Sequence, residues 1–141
     1  MANDEIKNKL VSVLASQQAQ GKTPEQAVDH ILQALGGRAG DVSRISVLTS
    51  TLIADVLYTV YQDVITHQQV AVILRKLGYA ARDIAVALHA IYPQVSVQDV
   101  GQLLQSPEIY PTIDRVALLD ALTYAHFSKV ESEQAADALG V

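Results

Sequence analysis

Apolar residues recur three or four positions apart along almost the whole chain, which is the spacing of one face of an α-helix. Ile6, Leu10, Val13 and Leu14 form the first such face. No segment alternates apolar and polar residues at every second position, as a half-buried strand does. We therefore predict an all-α fold of seven to eight amphipathic helices.

Capping signals divide this pattern into separate helices. The segments Thr23-Pro24-Glu25-Gln26 and Thr66-His67-Gln68-Gln69 each place a threonine three residues before a glutamine, as a capping box requires. The other residues predicted to begin helices are Asn3, Asp41, Asp83, Ser96 and Thr112. Glycines predicted to end helices are Gly21, Gly36 and Gly78.

The third and seventh helices are predicted in more detail. The third begins at Asp41 and continues to about Val64, which makes it the longest helix. The seventh turns Val116, Leu119 and Leu122 toward the core, because these residues lie at helical spacing.

Similar segments recur and indicate a helical repeat. Ile53-Ala54-x-x-Leu57-x-x-Val60 resembles Leu118-Leu119-x-x-Leu122-x-x-Ala125 in apolar pattern, and Ile31-Leu32-x-x-Leu35-Gly36 resembles Ile73-Leu74-x-x-Leu77-Gly78. A helical hairpin with one apolar stripe must stack on another to bury it. The predicted domain spans residues 1–141, with helical hairpins near 23–64, 66–92 and 96–127. They would form a compact bundle or a short solenoid-like array.

Composition points toward surfaces rather than chemistry. Only 18% of the 141 residues are charged, against roughly 25% in an average soluble domain, so part of the surface is expected to face a partner. The net charge is −5 and the basic residues are scattered, which disfavours nucleic-acid binding. The chain has no cysteine, and its four histidines lack the spacing of a helical metal site. We predict no enzymatic activity, no metal and no cofactor.

The beginning of the sequence and its longest apolar stretch bear on location. Residues 1–5 are acidic and no apolar run follows them, unlike a secretory signal. The stretch from Ile45 to Val64 is interrupted by Asp55 and by polar residues, so it is interpreted as a core helix and not as a membrane span. We predict a cytoplasmic protein.

Aromatic residues suggest where a partner would bind. Tyrosine combines apolar area with a polar tip and is enriched at protein interfaces. Tyr79 follows a helix-ending glycine, and Ile109-Tyr110-Pro111 resembles an exposed apolar tip, so both are expected at the surface. The predicted interface residues are Tyr79, Tyr92, Ile109, Tyr110, Tyr124 and Phe127.

Three functions follow from these features. The first is a non-enzymatic structural protein that self-associates into a homo-oligomer or a filament-like assembly. The second is an adaptor that binds another protein: Ile73-Leu74-x-x-Leu77-Gly78-Tyr79, followed by Ala87-Leu88 and Leu103-Leu104, is similar to the three-helix ubiquitin-associated domain. That resemblance, over residues 66–105, implies binding through the Gly78–Tyr79 loop. The third is a carrier of a small apolar ligand, in which the alanine-rich fifth helix would line a cavity.

Overall fold

The computed structural model of the protein describes residues 2–34, 49–62 and 65–141. Within these ranges the chain forms eight α-helices and no strand, which confirms the predicted all-α fold. In chain order the helices are α1 (Ala2–Ala19), α2 (Pro24–Ala34), α3 (Ser50–Tyr61), α4 (His67–Lys76), α5 (Ala81–Ile91), α6 (Val97–Leu104), α7 (Arg115–Tyr124) and α8 (Lys129–Ala138).

The four even-numbered helices begin in the same way. In each, the hydroxyl of a serine or threonine N-cap accepts a hydrogen bond from the backbone N–H three residues later, at 3.1 to 3.2 Å. These N-caps are Thr23, Thr66, Ser96 and Ser128. In α2, α4 and α8 the side chain of the third residue also accepts from the N–H of the cap, which completes a capping box. The caps predicted at Thr23, Thr66 and Ser96 are therefore confirmed.

Helix α3 begins later than predicted. Its N-cap is Thr49, whose hydroxyl accepts from the N–H of Leu52 at 3.1 Å, and Thr49 itself has an extended backbone. A single helix from Asp41 onward is therefore wrong, because the backbone leaves the helical conformation at Thr49. Residues 35–48, with the predicted Gly36 stop and Asp41 start, lie outside the described part of the chain.

Three other predicted N-caps are also wrong. Asn3 lies inside α1, which begins at Ala2. The N-cap of α5 is Ala80, which makes no side-chain cap, and Asp83 lies inside the first turn. The N-cap of α7 is Asp114 and not Thr112; its carboxylate accepts from the N–H of Ala117 at 2.8 Å. A carboxylate is a strong cap and also complements the positive end of the helix dipole, which accounts for the choice.

The helices stack in two rows. Helices α1, α3, α5 and α7 form the odd row, in which each helix packs against the next. The other four helices form the even row, which is less tightly packed: α6 packs against α8, Lys76 of α4 pairs with Glu25 of α2 at 3.0 Å, and α4 and α6 line a common surface cleft. Each of α3 to α7 also packs against the helix that follows it in the chain, so the rows share one core of stacked helical hairpins.

The core repeats from one odd helix to the next. Leu57, Leu88 and Leu122 are each the eighth residue after the N-cap of their helix, and none has any exposed surface. Each leucine fills the same place in its own layer, which is the periodic burial expected of a helical repeat. In the ranges that the structure describes, no helix combines the length and the apolarity needed to cross a membrane.

Candidate interaction surface

In α2 and in α5, the second residue of the helix contacts the next helix of the same row. In the odd row, the Arg82 guanidinium of α5 donates to the Asp120 carboxylate of α7 at 2.8 Å and lies 4.9 Å from the centre of the Tyr124 ring. In the even row, Glu25 of α2 accepts from Lys76 of α4 at 3.0 Å. We call this second residue of each helix its stacking position.

The stacking position of α4 lies beside a cleft. This residue is Gln68, which lines a surface cleft of about 530 Å³ together with Gln102 and Leu103 of α6 and with Ser106. Where a stacking residue does contact the next helix, in α2 and α5, its partners are the charged Lys76 and Asp120 and the ring of Tyr124.

Valine occupies the stacking positions of the last two helices. These residues are Val116 in α7 and Val130 in α8, and their side chains are 78% and 63% exposed. They are the two most exposed large apolar side chains among the described residues. The prediction that Val116 faces the core is wrong, because the core-facing residues of α7 are Leu118, Ala121 and Leu122.

Helix α7 has one further apolar residue, Leu119, that is only partly covered. The fifth residue after the N-cap is Ala54 in α3 and Ala85 in α5, and both have no exposed surface. In α7 the same position holds Leu119, a larger residue that is half-buried. We call the surface formed by Val116, Leu119 and Val130 the α7–α8 edge. Its two valines occupy the stacking position, at which Glu25 of α2 and Arg82 of α5 contact the next helix of their row.

Most of the predicted interface residues lie elsewhere. Tyr79, Tyr92 and Ile109 are buried, with no more than 6% of any side chain exposed, so the expected exposure of Tyr79 and Ile109 is wrong. Tyr110 and Phe127 are half-buried, and Tyr124 is about half exposed. Only Tyr124 offers a largely accessible ring, and Arg82 already contacts it.

The Ile109–Tyr110 loop is held against the body of the protein. The Tyr110 hydroxyl donates to the backbone carbonyl of Tyr79 at 2.9 Å, and Nε of Arg75 donates to the carbonyl of Ile109 at 3.0 Å. These two bonds join the loop to α4 and to the segment after it. The loop is therefore a structural tie and not an exposed tip.

The Gly78–Tyr79 loop does not present its aromatic ring. Gly78 has a φ of +90°, a left-handed conformation that suits glycine at a helix end, and the chain then turns the Tyr79 ring inward. Burial raises the pKa of the Tyr79 hydroxyl to about 12, with a smaller contribution from Asp83. Leu77 and Leu104 are also buried, so of the side chains in the ubiquitin-associated resemblance Leu103 is the one that reaches the surface, where it lines the cleft beside α4.

The fifth helix is covered on the sides where a cavity was expected. Ala85 and Ala87 have no exposed surface, and α5 packs against α3, α4, α6 and α7. Its small residues therefore allow close helix packing. No group of three histidine, aspartate or glutamate side chains suited to a metal ion occurs within residues 2–34, 49–62 and 65–141.

The positions of Val116 and Val130 could not be recognised from the sequence alone. Both fit the helical apolar pattern, and only the structure shows that they are exposed. The chain matches no protein-family model, no curated protein and no solved structure.

Proposed function

We propose that this protein is a non-enzymatic structural protein that associates with further copies of itself. The observation that carries the proposal is the α7–α8 edge: Val116 and Val130 are exposed at the position where Arg82 and Glu25 contact the next helix, and Leu119 is only half-buried. Contiguous exposed apolar residues mark interaction surfaces more often than they mark ordinary solvated faces.

The composition supports the same proposal. A surface with few charges resembles the centre of an interface, from which charged residues are depleted. Only 18% of the residues are charged, although the chain is small enough for most of its surface to meet solvent. A cytoplasmic location, as predicted from the sequence, belongs to this proposal.

Light scattering coupled to size exclusion tests the proposal directly. The full chain, measured over a wide range of concentrations, should give a mass larger than 15.2 kDa that rises with concentration. A mass that stays at one chain across the whole range contradicts self-association.

A further inference from the structure

The first and last helical hairpins share the same connection. After α1, the N–H of Gly21 donates to the carbonyl of Gln18 and that of Lys22 to Gln17; after α7, His126 donates to Thr123 and Phe127 to Leu122. Gly21 and His126 both have a positive φ, of 79° and 75°. Helices α2 and α8 then begin two residues later at the same type of N-cap. Because the two turns have the same geometry, residues of α1 and α7 are equivalent when they lie the same number of positions before Gly21 and His126.

This equivalence identifies the face of α1 that would meet a preceding helix. Asp120 and Tyr124, six and two residues before His126, contact Arg82 of the preceding helix α5. The residues six and two positions before Gly21 are Ala15 and Ala19, and both are exposed. They occupy on α1 the positions that face the preceding odd helix on α7.

Burial at one further position supports this assignment. The seventh residue after the N-cap is Val56 in α3, Ala87 in α5 and Ala121 in α7, and each is at most 1% exposed. Each of these helices has a preceding odd helix packed against it. The equivalent residue of α1, five positions before Gly21, is Ser16, and it is exposed.

The two exposed faces match in polarity. Inside the protein, the charged stacking residue Arg82 meets Asp120 and the ring of Tyr124. At the α7–α8 edge the stacking residue is the apolar Val116, and on the face of α1 the two residues in the places of Asp120 and Tyr124 are alanines. A valine would bury its surface against alanines, whereas it would leave a carboxylate without a partner.

We propose that the α7–α8 edge of one copy packs on the Ala15–Ala19 face of α1 of the next copy. The contact continues across two chains the stacking of α5 on α7 within one chain. This inference rests on the proposed self-association and specifies its geometry. Because the two surfaces differ, the contact is head-to-tail, so it produces an open filament or a closed ring and not a two-fold dimer.

Complementary variants test this geometry. Val116→Glu blocks one surface, and the double substitution Ala15→Glu with Ala19→Glu blocks the other. All three side chains are exposed, so the fold should persist, which circular dichroism and thermal unfolding would verify. Each variant alone should remain a single chain, and an equimolar mixture should form a species of two chains and no larger. The mixture supplies one intact surface of each kind.

A matched control and a cross-link complete the test. Gln68→Glu adds one charge at the exposed stacking position of α4, away from both proposed contact surfaces, and should associate as the unmodified chain does. The chain has no cysteine, so Val116→Cys and Ala19→Cys can be mixed under mild oxidation. A disulfide should form between the two different variants and not within either variant alone.

The outcomes separate this inference from the proposed function. If the unmodified chain is always a single chain, both proposals fail. If it associates, and the α1 variant still associates as well as the control does, then self-association stands and the head-to-tail contact is wrong. A mixture that forms no two-chain species, or cysteines that pair only within one variant, also overturns the head-to-tail contact.

Discussion

The guanidinium carbon of Arg75 lies 4.4 Å from the centre of the Tyr110 ring, which makes these two residues a cation–π pair. The same two side chains tie the loop after α6 to the body of the protein, since each also donates a hydrogen bond to a backbone carbonyl. A charged group stacked on a ring and held by a second bond has little freedom to move. The pair therefore contributes to the stability of the fold.

Removal of the Tyr110 hydroxyl should weaken this tie. Tyr110→Phe keeps the ring beneath Arg75 but leaves the buried carbonyl of Tyr79 without that donor, so we expect the free energy of unfolding to fall by about 1 kcal/mol. Urea denaturation measures the change. The control is Tyr124→Phe, which also keeps its ring under an arginine and should change stability by less than about 0.5 kcal/mol. Equal effects of the two substitutions would contradict the assigned role of the hydroxyl.

Two tyrosines at equivalent positions should respond to phenylalanine in opposite directions. The Tyr61 hydroxyl donates to the carbonyl of Lys22 at 3.1 Å, whereas the buried hydroxyl of Tyr92 finds no hydrogen-bond partner among the described residues. Tyr61→Phe should therefore destabilise the protein by about 1 kcal/mol. Tyr92→Phe should leave stability unchanged or raise it by about 1 kcal/mol, because it removes an unsatisfied buried group. Denaturation of both variants under one condition is the measurement, and a loss of stability in Tyr92→Phe contradicts the prediction.

Alkaline pH should destabilise the fold through Tyr79. In the folded protein burial raises the pKa of this hydroxyl to about 12, whereas an unperturbed tyrosine has a pKa of 10.0, so the unfolded chain releases the proton first. Between these values the unfolded state binds fewer protons than the folded state, and stability falls as pH rises. We expect a shallower fall for Tyr79→Phe, measured by denaturation at a series of pH values from 8 upward.

Burial also raises the pKa of Tyr61 and of Tyr92, so part of the alkaline loss should remain in Tyr79→Phe. Titration of tyrosinate absorption is a clean companion measurement, because the chain has six tyrosines and no tryptophan. Identical pH profiles of the unmodified chain and of Tyr79→Phe would contradict the role given to Tyr79.

We expect glycine to be required at position 101 only because the side chain of Leu139 lies close to it. A Cβ added to Gly101 would lie 2.8 Å from Cδ1 of Leu139, closer than such atoms approach in folded proteins. Gly101→Ala in the Leu139→Ala background should stabilise the protein by about 0.5–1 kcal/mol, because alanine favours the helix over glycine. In the native background the same change should lose that gain or become destabilising. An equal effect in both backgrounds would show that Leu139 does not restrict this position.

The capping pattern was the most predictable part of the fold. The Thr66 and Gln69 pair and the Ser96 cap depend only on residues within one turn, so the sequence is sufficient to locate them. The N-cap of α7 was harder to predict, because Thr112 and Asp114 are both good N-caps. The choice between them depends on how α7 packs against the other helices. Local signals therefore determine that a helix begins, but not always at which residue.

The candidate surface was less predictable, because exposure depends on neighbours distant in sequence. Tyr79 follows a helix-ending glycine and has the sequence context of an exposed loop residue, yet it is buried. Val116 lies at the spacing of a core residue, yet it is 78% exposed, because none of the described helices covers that side of α7. In both cases the order of the helices in the rows decides the outcome, and periodicity carries no information on that order.

The order in which the odd helices pack has a consequence for how the protein folds. Since the odd helices pack in order along the chain, most contacts join segments close in sequence, and a chain of this kind has a low contact order and folds rapidly. Its cooperativity comes from the boundaries between layers, as in a one-dimensional lattice of coupled units. Amide hydrogens of α5, which lies between α3 and α7, should therefore exchange with solvent more slowly than those of α1.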